Sequence, residues 1–230
     1  MVAKAKTGAI SLEEKFDATD EEKKEKFELP SDELANEEVD YKVDYRLTKY
    51  IKVFDDALPP QYCDKIVKMF REDADHHVVR NSLQETGEKF VSLNIDSNND
   101  EDWSKISTTQ RKIVEATMPV YVKSVRPHVN CFPEKSTLED FYVYQFRDAE
   151  DVKETNIDVA KSSQVKRYMT FLWFLTDDED FQIGFFDVQN TVSAKKGRLI
   201  VFPATWTYPY SIGNFSGNEN FIIKTHVAQV

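Results

Sequence analysis

The chain has little of what several large function classes require. Glycine and proline are sparse, at 6 and 8 in 230 residues, which argues against a low-complexity chain. The two cysteines, Cys63 and Cys131, are far apart and form no metal-type pair, and they fit a reducing compartment. No apolar run approaches the length that spans a bilayer. Residues 1–17 (MVAKAKTGAISLEEKFD) lack the apolar centre of a signal peptide, so the expectation is a soluble protein acting where it is made. Positive charge is in deficit: 30 Lys and Arg stand against 41 Asp and Glu, a formal charge of −11. A phosphate polyanion or an anionic membrane would be repelled, and no basic stripe overrides this, so neither nucleic acid nor membrane is an expected partner. No Gly-rich phosphate loop follows a strand, and no nucleophile elbow is present. The acidic run at 177–180 (DDED) lacks the spacing of a calcium loop and reads as a hairpin turn.

What is present suffices for a packed core. Apolar residues make up 40% and aromatics 13%, with 16 Phe and 10 Tyr. The apolar residues are unevenly spread. Residues 1–45 carry 14 acidic against 7 basic residues, so −7 of the −11 lies there. Alone this segment is too polar to form a core. Two regions follow: an acidic N-terminal arm over 1–45, disordered or ordered by a partner, and a folded domain over 46–230. In the arm, Val39, Tyr41, Val43 and Tyr45 alternate and would share one strand face. With Phe16 and Phe27 they are the candidate anchors for other protein subunits.

The folded part opens with a strand at 50–54 (YIKVF), then a proline-led helix whose Cys63, Ile66, Val67 and Phe70 fall on one face. A strand is expected near 90–95. A second helix over 103–125 turns Ile106, Ile113, Val114, Met118, Tyr121 and Val125 inward, with Pro119 as a kink or break. Beyond it the pattern is β: 141–146, then 167–175 as a strand buried on both faces, 181–186, 191–194, 198–202 and 221–227. Helices first, then short antiparallel strands, give an α+β chain, mainly β, built as a double-stranded β-helix (jelly-roll) barrel with flanking N-terminal helices.

Several stretches carry a resemblance. "YIKVFDDALPPQYCDKIVKMF" resembles the strand–turn–helix opening of prolyl-4-hydroxylase-like 2-oxoglutarate/Fe(II) dioxygenases. "FYVYQFRD", "RYMTFLWFLTDD", "TVSAKKGRLIVFPATWTYPY" and "NFIIKTHV" are similar, in order, to that family's core strands. The match spans about residues 48–230 and rests on the order and spacing of several weak motifs.

The resemblance implies a facial triad of two His and one Asp or Glu on Fe(II), with a Lys or Arg about ten residues after the second His to anchor 2-oxoglutarate. Carried over residue by residue, the first His position is Asn156, the acidic position Asp158, the second His position Tyr210 and the anchor position Asn220. Only Asp158 is of the required type. The family's Gly-Gly turn is replaced by 180–184 (DFQIG). An amide and a phenol are poor Fe(II) ligands beside imidazole, and a neutral Asn cannot pair with a carboxylate. A lone Asp158 in a polar loop is expected to be solvated.

The expectation is therefore a pseudoenzyme: a non-catalytic structural or protein-binding protein with no catalytic residue, metal or cofactor. It would be cytoplasmic or, since degenerate relatives occur among tailed phages, in a virion as a neck or tail component. The alternative is an active Fe(II)/2-oxoglutarate-dependent hydroxylase with atypical ligands, keeping Asp158 and recruiting Lys224 or His226, which share a face of the last strand. The remaining histidines are His76 and His77, expected exposed after a helix end, and His128 in a loop. Trp206, Tyr208 and Tyr210 are candidates for an aromatic patch that meets carbohydrate or protein, or for a plug in a vacated pocket.

Overall fold

A computed structural model of the chain describes residues 45–80, 90–125, 132–147, 155–185, 190–214 and 216–230. Most of the expected arm, including Phe16, Phe27, Val39, Tyr41 and Val43, and also His128 and Cys131, lies outside these residues.

The described chain begins with a 3-10 helix, Tyr45–Tyr50, followed by β1 (Lys52–Phe54). This corrects two expectations: Tyr45 does not end a strand, and the strand at 50–54 starts two residues later. Side chains fix the tighter turn, because Tyr121 Oη donates to the Tyr50 carbonyl at 2.9 Å and Tyr208 Oη to that of Leu47 at 3.2 Å. Helix α1 (Pro60–Glu72) buries Cys63, Ile66, Val67 and Phe70, as the spacing requires. After β2 (Val78–Arg80) and β3 (Phe90–Asn94), α2 (Glu101–Val125) runs with Pro119 inside one continuous helix rather than at a break. It buries Ile106, Val114, Tyr121 and Val125 as expected, and Trp103, Ser107 and Gln110 besides.

The remaining elements are β4 (Ser136–Leu138), β5 (Tyr142–Phe146), β6 (Arg167–Phe174), β7 (Asp178–Phe185), β8 (Asn190–Ala194), β9 (Leu199–Pro203), β10 (Ser211–Asn214) and β11 (Asn220–Gln229). The acidic run is thus not simply a turn, since β7 begins within it at Asp178. The Asp178 carboxylate accepts bonds from Asn220 Nδ2 at 2.9 Å and Ser216 Oγ at 2.5 Å, which holds the run in extended form.

Among the described residues the strands make two antiparallel sheets. One has eight strands in the order β1-β9-β6-β11-β5-β3-β2, with β4 also on β11; the other has three, β10-β7-β8. Strand β6 shows why residues 171–174 are apolar throughout. Leu172 and Phe174 pack with Ile200, Phe202 and Ile222 against Phe181, Ile183 and Phe185 of the small sheet. The alternate residues Phe171 and Trp173 pack with Val201 and Ile223 against α1 and α2. A strand covered on both faces has no side left for polar residues. The sandwich interior between the sheets and the helical layer behind the large sheet together form the expected jelly roll. No helix of the described residues is long and apolar enough to cross a membrane.

Candidate functional site: a buried ion pair inside the barrel

Strand β11 supplies the floor. Residues 222, 224 and 226 alternate onto one face, and the burial of Ile222 against the small sheet shows that this face looks inward. His226 is opposite Thr170 of β6, and Thr170 is in turn opposite Phe202 of β9. Asp158 arrives from the segment between β5 and β6. Two backbone bonds fix that segment: Asn156 N–H donates to the Tyr210 carbonyl at 2.6 Å, and Tyr210 N–H to that of Asn156 at 3.0 Å. Arg167 Nη1 also donates to the Asp158 carbonyl at 3.0 Å. The Tyr210 ring leans on Phe202 and Phe185, with centroids 5.2 and 6.2 Å away.

These elements converge on one carboxylate. Thr170 Oγ1 donates to Asp158 Oδ2 at 2.6 Å, and Tyr210 Oη donates to Oδ1 at 3.0 Å. The Lys224 ammonium donates to Oδ1 as well, and to the Tyr210 oxygen at 2.5 Å. His226 Nε2 is 3.4 Å from the same Oδ1, out of line for a hydrogen bond, and is left with no hydrogen-bond partner. Its Nδ1 faces Glu139 Oε2 at 3.6 Å. Glu139 is gripped by the fork of Arg167, with Nε at 2.8 and 3.0 Å and Nη2 at 2.7 Å from its carboxylate oxygens.

The exposures settle the question of solvation. Tyr210 is 1% exposed, Lys224 5%, Asp158 7% and His226 9%. Asp158 is therefore not the solvated loop residue its sequence setting suggests. Such a carboxylate survives only with compensation. Burial pushes its pKa up, but Lys224, with His226 beside it, more than reverses this and holds the carboxyl far below the usual range. Burial pushes Glu139 up too, yet His226 and Arg167 hold it at about 2. Tyr210 moves the other way: burial, then the adjacent Asp158 charge, raises it well above the ordinary tyrosine value, so it stays a neutral phenol.

The structure thus brings together Asp158, Tyr210, Lys224 and His226, with Asn156 held beside them by its backbone. It does not bring Asn220 among them. That side chain donates to Asp178 Oδ2 and, at 3.2 Å, to Asn214 Oδ1, and accepts from Thr176 Oγ1 at 2.7 Å. Thr170, Glu139 and Arg167 were missed. Thr170 left a signal, as a hydroxyl inside an otherwise apolar strand, whereas Glu139 and Arg167 lie among other charged residues. The aromatic patch dissolves: Tyr208 and Tyr210 are buried and only Trp206 stands out, 75% exposed. Tyr210 is a plug. His76 is exposed and faces Asp73 at 2.5 Å. His77 is half-buried, stacked on Phe70 at 4.1 Å.

The residues present do not fit the Fe(II) and 2-oxoglutarate of the resembling family. An amide and a phenol stand where the resemblance places the two histidines, and an ammonium lies against both Asp158 and Tyr210. No group of three or more His, Cys, Asp or Glu among the described residues could hold a metal ion. The anchor position is neutral and its amide is already engaged.

No family model and no curated protein sequence matches the chain. Solved structures do. A viral collagen prolyl hydroxylase from Paramecium bursaria Chlorella virus 1, in complex with 2-oxoglutarate, aligns at a TM-score of 0.52 and 13% identity, covering 79% of this chain and 96% of the other. A prolyl-4-hydroxylase from Pseudomonas putida aligns at 0.58 and 14%, covering 82% and 97%. A prolyl hydroxylase from Trichoplax adhaerens, in complex with a hypoxia-inducible-factor peptide fragment, aligns at 0.61 and 11%, covering 79% and 84%. At these identities the likeness establishes architecture alone: the chain has the jelly-roll fold of the prolyl-4-hydroxylase-like 2-oxoglutarate/Fe(II) dioxygenases.

Proposed function

We propose that the chain is a non-catalytic structural or protein-binding component built on an oxygenase-like jelly roll. One observation carries this reading. The Lys224 ammonium sits against both Asp158 and Tyr210, the positions that correspond to two of the family's metal ligands. A divalent ion about 4 Å from that charge, at an effective dielectric of about 20, would be repelled by roughly 8 kcal/mol. The network needs no ion, because Lys224 balances Asp158 and Arg167 balances Glu139.

The test is direct. Purified protein is titrated with Fe(II) or Mn(II), and 2-oxoglutarate consumption is followed with and without candidate peptides. Neither binding nor turnover is expected. Stoichiometric metal binding that disappears in Asp158→Ala would defeat the proposal and favour the hydroxylase reading, for which the nearness of His226 to Asp158 is the supporting observation.

A barrel without chemistry serves as a rigid block, and the acidic arm supplies the means of attachment. Phe16, Phe27, Val39, Tyr41, Val43 and Tyr45 are the proposed contacts to other protein subunits, and a neck or tail position in a virion is the proposed setting. Deleting residues 1–45 is expected to leave the melting transition in place and abolish the partner complex. An unchanged complex would contradict this assignment.

A further inference from the structure

We infer that the groove between α2 and β4 is a docking site for an extended, basic segment of a partner protein. The segment adds to β4 as a strand, seats apolar side chains in the groove and sets Lys or Arg beside Glu115 and Glu134. This surface belongs to the folded domain, so the inference goes beyond the arm and does not depend on it. The groove has a volume of about 970 Å³. It lies on the helical side of the large sheet: Val227 lines it and packs in the helical layer, while His226, next along β11, faces Asp158. It is therefore separate from the Asp158 centre.

Three observations choose the occupant. The floor is apolar and unfinished: Met118, Val122, Phe132, Leu138 and Tyr168 pack against the core yet stay only partly buried. An apolar floor inside a charged rim is the anatomy of a protein–protein interface, whereas a small-molecule pocket places polar groups within its depth. The rim is acidic. Arg111 is committed to Asp96 at 2.7 Å. Glu115 on α2 and Glu134 across the groove are exposed and have no ion-pair partner among the described residues. Unpaired carboxylates on both walls select a basic partner. The edge is open. Glu139 N–H donates to the His226 carbonyl at 2.9 Å and Val230 N–H to that of Lys135 at 3.3 Å, so residues 135, 137 and 139 turn their backbone groups toward β11. Successive residues of an antiparallel strand bond to opposite sides. Ser136 and Leu138 thus turn N–H and C=O away from β11, and among the described residues no strand pairs there. Such an edge accepts an extended segment by main-chain bonds.

The experiment uses the full chain and fluorescein-labelled synthetic decapeptides, read by fluorescence polarisation. One peptide has an alternating Val-Thr centre flanked by Lys pairs. A second has the same centre flanked by Glu pairs, and a third keeps the Lys pairs with Ser in place of Val. The first should bind saturably and roughly tenfold or more tighter than either of the others. Glu115→Lys with Glu134→Lys, both at exposed positions, should reverse the preference to the Glu-flanked peptide and leave the melting transition in place. N-methylation of alternate residues of the first peptide should weaken it roughly tenfold or more in one of the two registers and less in the other, a readout that leaves the protein untouched. The inference is overturned if the first peptide shows no saturable binding, if the two registers weaken it equally, or if the double reversal leaves the preference unchanged. Equal binding of the Ser peptide also overturns it, because attraction to the chain's net negative charge would then suffice. The non-catalytic reading stands in each of those cases, since metal binding and turnover decide it.

Discussion

Replacing Asp158 by asparagine tests the centre as a structural device. The amide keeps the carboxylate's shape, so no cavity opens. It leaves the Lys224 ammonium 5% exposed with only neutral acceptors, the amide oxygen and the Tyr210 oxygen, and no counter-charge against it. Removing one partner of a buried pair costs about 3–5 kcal/mol, because the other charge is stranded. For a chain of this size each kcal/mol lowers Tm by about 2–4 °C, so Asp158→Asn should melt about 10 °C lower. Lys224→Met should cost less, because Asp158 would still accept from Thr170 and Tyr210 and face His226. The double variant strands no charge and should lose no more than about 1–2 kcal/mol, well short of the sum. Urea unfolding of all four proteins reads these values, with circular dichroism and the fluorescence of buried Trp103 and Trp173 as probes. Strictly additive losses, or a cost under about 1 kcal/mol for Asp158→Asn, would show that Lys224 reaches water and that no buried pair exists.

Three further outcomes follow from other parts of the fold. Gly197 has φ +81°, and a Cβ there would fall 2.1 Å from the Leu58 carbonyl oxygen, which is backbone and cannot swing away. Gly197→Ala should therefore cost at least about 2 kcal/mol in a thermal melt, and a neutral result would place the 195–197 turn elsewhere. Glu139 and Asp158 are both depressed in the folded state, Glu139 from 4.5 to about 2. Their contribution is thus complete above about pH 5 and is lost as pH falls toward 2, and Glu139→Gln should flatten the decline of Tm over that window. Trp206 is 75% exposed while Trp103 and Trp173 are buried; Trp206→Phe should remove the red-shifted, readily quenched emission with almost no change in stability.

The parts legible in the sequence are those where one periodicity decides the outcome. Residues 63, 66, 67 and 70 name a helix face, and the apolar run at 167–175 can only be a strand covered on both sides. The missed strands lack such a signal. Ser211–Asn214 contains Gly and Asn and resembles a turn, yet it pairs with Phe181–Gly184 of β7. Only the tertiary partner makes it a strand. The same limit applies at Asn220: counting ten residues from Tyr210 says nothing of its neighbours, and its amide, with Ser216 and Asn218, turns to Asp178.

The centre was half legible, for a reason of reach. Position along a strand says which face a residue takes, not how far its side chain extends. Lys224 belongs to the right face by parity alone, but its long flexible stem is what lets the ammonium arrive beside a carboxylate from another segment. An arginine could not take that role unchanged, since a planar fork needs a wider space than one shared between a carboxylate oxygen and a phenol. A buried Asp158 carboxylate needs a counter-charge, and a point cation on a tether supplies one without outside help. The ammonium also reaches the Tyr210 oxygen, so it ties together the two segments that carry these side chains. On that logic, Lys224→Arg should be more damaging than the neutral double variant despite conserving charge, and a thermal melt ranking the two in the opposite order would refute it.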